Sequence, residues 1–473
     1  MGGYTGKILR INLTDRKTSN EPLNMEFARN YLSGRGLAGK MYADEVSSDV
    51  DALSPENKMF IATGVLTGTK VPTSDRFMIV TKSPLNGEIT SSNFGGYWGT
   101  QLKFASYDMV ILEGKAEQPV YIKIQDDLVE IKDATHVWGK DIYTATDILK
   151  QEFGDDLVKA LTIGPAGENR SLMAVVMNDL YRAAGCGGVG AVMGSKNVKT
   201  IMVRGTGKVE TANSSEIERV LSMALRKIRG NNVGTQNKTT KRLTQREACY
   251  RCPIACGRFS KGDDGVGAGP KYKCTGDFEE ADDLCNKLGL DKISVNVTIA
   301  VGIELAQRGY IKPKELDGTP LEFGNAKGTL EWIRKIAYSE GLGAKMALGP
   351  YHFAESFGAP ELSLVVKTQR QDRQSAIRKD LTAVIDAVGL CLFTSFALGL
   401  SDYTAIVNAV IGCKYTNEEI LACGERILNN ERLLNLRVGY PVVADTLPKR
   451  FLKNPIPDSP SKGQAHRLAE KFC

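Results

Sequence analysis

The sequence predicts an α+β fold, a β-rich N-terminal domain followed by mainly α-helical domains, and three observations carry that reading. Up to Val203, short segments of alternating apolar and polar residues are divided by dense turn chemistry. Beyond Ser215, apolar residues recur at helical spacing over long stretches. The 473 residues exceed what one ordinary core organises. The expected division is 1–208 for the β-rich domain, 209–348 for a helical domain with a cysteine-rich motif, and 349–473 for a second helical domain.

In the first domain, Gly6-Lys-Ile-Leu-Arg-Ile-Asn-Leu13 alternates like a half-buried strand, and Phe77-Met-Ile-Val-Thr81 reads as another. Met109-Val-Ile-Leu112 and Val120-Tyr-Ile-Lys-Ile124 follow. Helices are expected at about Met25 to Tyr42 and Ile142 to Phe153. Three glycine-rich segments let main-chain N–H groups approach an anion: Gly34-Arg-Gly36, Asn93-Phe-Gly95-Gly96, and the run from Arg182 through Gly185, Gly187 and Gly188 to Lys196. The third has a cation at each end, as a phosphate cradle would, but tight turns explain such segments more simply.

Gly205-Thr-Gly-Lys208 reads as the linker out of this domain. Helices are then expected at Ser215 to Arg229, Ile293 to Gly309, Thr329 to Ser339, Ser401 to Ile411 and Thr416 to Leu436, the last opened by a Thr416/Glu419 capping box. Arg378 to Leu398 is an apolar helical stretch interrupted at Gly389-Leu-Cys391. Asn231 to Arg242 and Lys261 to Pro270 read as loops, and the tail from Lys453 as loosely held. Apart from Asn286 to Asp291 and Asp386 to Cys391, which share a Gly-Leu step, no internal repeat is visible.

The chemistry concentrates in Cys249-Tyr-Arg-Cys252-Pro-Ile-Ala-Cys256. Three thiols from one turn plus a remote fourth, Cys391, are what a [4Fe–4S] cube needs, whereas structural zinc usually takes two short cysteine pairs. A helix starting at Pro253 would put Cys252 and Cys256 on one face, with Cys249 arriving from the preceding loop. Cys285 and Cys423 lie in apolar helical contexts and read as core residues, and Cys274, Cys413 and Cys473 are likewise not expected as ligands.

Composition narrows the alternatives. The net charge of +6 is modest and scattered, which argues against nucleic-acid binding but would suit an acidic electron carrier. No apolar run is long enough for a membrane span and the start lacks a signal-peptide core, so a cytoplasmic protein is expected. Ten cysteines in such a chain point to metal binding or reactive thiols rather than disulfides, and three histidines leave little material for imidazole chemistry.

Ordered motifs over nearly the whole chain resemble the tungsten-containing aldehyde:ferredoxin oxidoreductase family. They include Gly34-Arg-Gly-Leu37, Ala62-Thr-Gly-Val-Leu-Thr-Gly-Thr69, Thr81-Lys-Ser-Pro-Leu85, Ser92-Asn-Phe-Gly-Gly96 and Leu102-Lys-Phe-Ala-Ser-Tyr-Asp108. Ala191-Val-Met-Gly-Ser-Lys-Asn197, the cysteine motif, Asn286-Lys-Leu-Gly-Leu-Asp291, Asp386-Ala-Val-Gly-Leu-Cys391 and Asp445-Thr-Leu-Pro-Lys-Arg-Phe451 continue the series. The resemblance implies a first domain of two β-sheets holding a tungsten bis-molybdopterin, and a [4Fe–4S] cluster bound by Cys249, Cys252, Cys256 and Cys391. It implies pterin contacts from Arg76, Asn93, Gly95, Arg182, Ala183 and Gly185, and from Asn286, Asp291, Asp386, Gly389 and Leu390, Asn286 standing where the family has aspartate. The implied reaction is oxidation of an aldehyde to a carboxylic acid, with electrons leaving through the cluster to ferredoxin or a ferredoxin-like subunit, in an oligomer without nucleic acid or membrane.

The chain departs from the family pattern at Cys186, where arginine is common, and at three places on the implied substrate wall. These are the polar run Asn231 to Lys241, Lys273-Cys274-Thr275 where an acidic residue is implied beside the metal, and the stretch after Val366-Lys-Thr-Gln369, which lacks an insert implied to carry a catalytic histidine. No remaining histidine sits in a matching context, so catalytic residues stay unassigned. The alternative is a degenerate paralogue acting as a structural or electron-relay subunit of a larger redox complex.

Overall fold

Alternation along β1 (Lys7–Asn12) turns Leu9 and Ile11 to one face and Ile8 to the other, and both faces are buried. The reason is a sandwich. A computed structural model describes residues 1–212, 214–231, 243–260, 278–363, 365–366, 369–370 and 379–439. In it β1 joins β2 (Lys17–Pro22), β3 (Met59–Thr63), β4 (Phe77–Lys82), β5 (Ile89–Phe94) and β6 (Met109–Glu113) in a six-stranded sheet of order β2-β1-β6-β3-β4-β5. A second six-stranded sheet has the order β11-β10-β9-β12-β7-β8, from β7 (Val120–Gln125), β8 (Leu128–Asp133), β9 (Lys159–Thr162), β10 (Val176–Asn178), β11 (Arg182–Ala184) and β12 (Val198–Arg204).

Read from its other edge, the second order is the first repeated with every strand number raised by the same step. Each sheet also has one parallel pair at the matching place, β1 with β6 and β7 with β12, and is antiparallel elsewhere. The first domain is therefore duplicated in topology, a repeat that was not visible in the residues because it is carried by strand pairing. Leu9, Ile61, Phe77 and Phe94 of one sheet meet Ile122, Leu161, Val176 and Ile201 of the other in the shared core.

The helices cover the outer faces. The stretch read as one helix from Met25 to Tyr42 is two, α1 (Met25–Tyr31) and α2 (Gly34–Glu45), because Leu32 and Gly34 take left-handed backbone (φ 60° and 47°). Between them the Ser33 hydroxyl donates to Ala387 O (2.6 Å) and accepts from Val65 N–H (2.7 Å). The α3 (Trp98–Phe104), α4 (Ile142–Phe153), α5 (Pro165–Glu168) and α6 (Val189–Ser195) helices connect strands. Next come α7 (Ser214–Gly230), α8 (Phe278–Leu288), α9 (Lys292–Gln307), α10 (Ala326–Tyr338), α11 (Leu342–Met346) and α12 (Gly349–Glu355). The series closes with α13 (Lys379–Val388), α14 (Leu400–Ile411) and α15 (Asn417–Arg437), whose Thr416/Glu419 capping box is formed as expected.

These helices fall into two packing groups. The α8 to α12 group shares a core with Ala166 and Met173 on the second sheet's side, and α13 to α15, with α7, share one with Val65 and Leu66 on the first. The α+β architecture is thus the one the residues led to expect, and the two sheets of its first domain are those the resemblance implied. Among the described residues no helix is long and apolar enough to cross a membrane.

Candidate functional site

The cysteine motif does not begin a helix. It is the loop between two paired strands, β13 (Leu243–Glu247) and β14 (Gly257–Ser260), and turns sharply because Arg251 and Ala255 adopt left-handed backbone at φ 49° and 44°. Cys252 N–H donates to Cys249 O (3.1 Å), and N–H groups of Ile254 and Ala255 point at the Cys252 sulfur. The loop is pinned to the first sheet's side, since Thr73 N–H donates to Arg251 O (3.2 Å) and Cys391 N–H donates to Thr73 O (3.3 Å). One residue, Thr73, therefore joins the loop to the remote cysteine.

Four thiols, all free of disulfides, gather here around three charged side chains. Arg76 Nη2 donates to Cys391 Sγ (3.0 Å), Arg182 Nη1 lies 3.9 Å from Cys256 Sγ, and Asp75 bonds the Cys249 thiol. Burial pushes the Cys249 and Cys391 thiols up and Cys252 to about 11, against the pull of Arg76 on Cys249 and Cys391. Burial works against the Arg76 charge, but Cys391, Asp75 and Cys249 outweigh it and hold the guanidinium firmly protonated. The donor set fits a [4Fe–4S] cube, which would take one thiolate per iron and displace their protons.

A polar chain runs on from this cluster of sulfurs. Arg76 Nη1 donates to Asn93 Oδ1 (3.2 Å), Asn93 Nδ2 to Asp386 Oδ1 (2.7 Å), and Arg35 Nη1 to Asp386 Oδ2 (3.1 Å). Arg35 also grips Glu431 of α15 in bidentate fashion at 2.6 and 2.7 Å. Burial raises the Asp386 carboxyl, and Arg35 opposes that rise. Arg76, Asn93 and Asp386 were expected together and are together. Asp75, Arg35 and Glu431 were not anticipated. The adjacent opposite charges of Ser74-Asp75-Arg76, just ahead of the apolar run Phe77-Met-Ile-Val80, were the available signal for Asp75.

The two Gly-Leu motifs occupy matching corners of the duplicated domain. Gly389 (φ 83°) follows α13 and lies against Gly64 at the end of β3, where an added Cβ would sit 2.3 Å from Gly389 Cα. Gly289 (φ 77°) follows α8 and lies against Gly164 beyond β9, where an added Cβ would sit 2.3 Å from Leu288 O. Both are also helix C-caps, so the structural explanation of these glycines holds beside the functional one. Gly95 gives way to Asp75 Oδ2, and Gly185 faces Asp291 Oδ1, 3.3 Å from an added Cβ. Asp291 caps α9 through Ser294 N–H (3.1 Å), and Asn286 bonds the Tyr143 hydroxyl.

Other residues lie elsewhere. Leu390 points into the helical core, and Ala183 is an exposed residue whose backbone pairs with Met177. Arg182 reaches Cys256 rather than an anion loop. At the other end of its segment Lys196 is buried, donating to Pro55 O (3.2 Å) and Gly114 O (3.0 Å), so the cradle read between two cations is not built. His136 pairs with Glu152 and His352 with Leu85 O and Glu355, away from the thiols. The divergent run 232–241, the stretch 273–275 and residues 371–378 fall outside the described residues, as do Cys274, Cys473 and His466.

For pterin, the fit rests on three features: a buried Arg76 Nε that lies 3.6 Å from Asp75 Oδ2 and has no hydrogen-bond partner among the described residues, the Arg76–Asn93–Asp386 chain, and two matching glycine corners. A duplicated β-sandwich with such corners, closed by helices over four gathered thiols of which Cys249 and Cys391 are buried, fits a class: a redox protein that encloses an iron–sulfur cluster beside a second cofactor. The chain belongs to the aldehyde ferredoxin oxidoreductase family, whose N-terminal domain model matches residues 8–205 and whose model of domains 2 and 3 matches 181–373 and 369–472. This is the family of tungsten, bis-pterin and [4Fe–4S] cofactors that the motifs implied.

The tungsten-containing aldehyde ferredoxin oxidoreductase of Pyrococcus furiosus is 38% identical over 574 aligned positions, covering 99% of this chain and 95% of that one. The Pyrococcus horikoshii protein of the same name is 39% identical with the same coverage. The WOR-like subunit of an aliphatic sulfonate oxidoreductase of P. furiosus is 28% identical, covering 98% and 92%. Among solved structures, the active-site complex BamBC of benzoyl coenzyme A reductase shares the fold at a TM-score of 0.86 and 22% identity, covering 96% of this chain and 92% of that one.

Proposed function

We propose that the chain is a tungsten bis-pterin oxidoreductase of the aldehyde:ferredoxin type, in which an aldehyde is oxidised to a carboxylic acid at a rate slowed by the divergent substrate wall and the electrons pass singly through a [4Fe–4S] cluster to a ferredoxin-like acceptor. The observation that carries this reading is Arg76, which bonds Cys391 Sγ at 3.0 Å and Asn93 Oδ1 at 3.2 Å, and so touches both the thiol site and the pterin corner. Bound there, tungsten and pterin would supply two-electron chemistry, and the cluster one-electron steps.

The chain's own residues set the stage for it. Cys249, Cys252, Cys256 and Cys391 would hold the cluster, with Arg76 and Arg182 offsetting the charge of the sulfurs. Arg76, Asn93 and Asp386 would orient the pterin on the first sheet's corner, and Gly185, Asn286 and Asp291 on the second. Arg35 and Glu431 keep Asp386 in place, and Gly389 brings the α13 end down onto Gly64.

A second reading, an electron-relay subunit, is supported by the three divergent wall segments and by two described histidines that bond partners elsewhere. Purified protein assayed together for tungsten, iron and oxidised-pterin fluorescence separates the two. Tungsten and pterin in step with the iron support the oxidoreductase; iron without either supports the relay.

A further inference from the structure

Among the described residues, the 3₁₀ turn Leu392–Phe396 presents three large apolar side chains outward: Leu392 is 41% exposed, Phe393 42% and Phe396 63%. The turn starts at Cys391, and the Phe393 N–H points at the Cys391 sulfur. Beneath it, Thr394 Oγ1 donates to Cys391 O (2.7 Å) and lies 2.8 Å from the Tyr403 hydroxyl, so the turn is fixed while its rings face outward. A fixed, exposed aromatic pair with centroids 6.2 Å apart is the composition of a contact surface rather than of an idle one.

The rim of this patch is cationic. Exposed Arg251 stands in the cysteine loop, tied to Cys391 through Thr73. The last turns of α7 carry exposed Arg226, Lys227 and Arg229. Lys227 bonds Asp402 of α14 at 2.7 Å, which places this basic end beside the start of the helix that follows the turn. Asp402 is spent on Lys227 and on Gly399 N–H (2.9 Å), and the acidic Glu216 and Glu218 lie at the opposite end of α7.

We propose that this face, Leu392, Phe393 and Phe396 with Arg251, Arg226 and Arg229 around them, is where a small acidic iron–sulfur carrier protein docks. It rests on the reading of the four thiols as a cluster. In the transfer one electron leaves the reduced cluster and enters the oxidised carrier, and no bond or proton changes. Cys391 directly precedes Leu392, the first residue of the docked surface. The cationic rim would speed encounter, and the rings would seat the complex.

The test mixes the full, cluster-containing, reduced chain with an oxidised acidic 2[4Fe–4S] ferredoxin by stopped flow, and separately with benzyl viologen. Phe396→Ser and the double variant Arg226→Glu/Arg229→Glu should each slow oxidation by ferredoxin on the order of tenfold at low salt. The charge variant should lose its effect at high salt, and viologen rates should stay at wild-type values. Ferredoxin rates unchanged in both variants, or equal slowing with viologen, would overturn the assignment. So would sedimentation showing that Phe396→Ser dissociates a homo-oligomer, because a second copy would then cover the face. An iron assay before mixing isolates the remaining case: a chain without iron refutes the cluster reading, and the docking site with it.

Discussion

At the scale of single residues, the thiols were legible and their scaffold was not. A three-plus-one cysteine pattern and the family resemblance brought Cys391 to the Cys249–Cys256 motif, and the structure joins them through Thr73. Asp75 and Arg35 escaped notice because a charge in a sequence reads as a solvated surface residue until its burial is seen. The supposed helix at Pro253 failed for a comparable reason: left-handed backbone at Arg251 and Ala255, both non-glycine, leaves no trace in composition. Anaerobically purified protein should contain about four irons per chain. Cys252→Ser and Cys391→Ser should each lose that iron and its brown absorbance. Cys285→Ala and Cys423→Ala should keep it, since both thiols sit in helical cores. Iron retained in both serine variants, or lost in either alanine variant, would show the ligand set to be misassigned.

At the scale of elements, strongly periodic helices such as α4 and α15 were read closely, whereas most strands of the second sheet and the β13–β14 hairpin went unseen. Short strands buried on both faces lose the alternation that marks them. The glycine corners offer a paired test of how these elements dock. Gly64→Ala would drive a methyl into Gly389, and Gly164→Ala into Leu288 O, each at 2.3 Å. Overpacking of this kind costs about 1–3 kcal/mol or more, so both variants should melt earlier. Only Gly64→Ala should also lower iron content, because Gly389 leads directly into Cys391. Equal iron in the two would mean that the corner does not position the ligand. Lys196 supplies a pH test on α6. Burial lowers its ammonium to about 8, so the folded state holds the proton less well than the unfolded chain does. Folding stability from this group therefore rises as pH climbs from about 8 towards the ordinary lysine value. The stability difference between wild type and Lys196→Met should grow over that window, by on the order of 3 kcal/mol at most, and a difference flat between pH 7.5 and 10 would show that Lys196 does not titrate there.

At the scale of the whole molecule, the chain matches the family's models in both of their parts, while the segments that the resemblance places on the substrate wall depart from the family pattern in sequence. The alignment to the P. furiosus relative runs over 574 positions although this chain has 473 residues, so it contains gaps in this chain. The sequence departures at 231–241, 273–275 and 366–378 are where the resemblance implied an acidic residue beside the metal and a histidine-bearing insert. Side-chain acid–base help is typically worth 10² to 10⁴ in rate, about 3 to 5 kcal/mol of barrier. Where such help is lost, a proton leaving an aldehyde hydrate would pass to solvent. A wall shortened as the resemblance implies would also exclude less water from the reacting centre. Viologen-linked oxidation of acetaldehyde or benzaldehyde by protein with a full tungsten and pterin content should therefore be very slow or undetectable. A turnover of about 10 s⁻¹ or more, ordinary for enzymes, would show that the chain supplies acid–base groups from residues outside the family pattern.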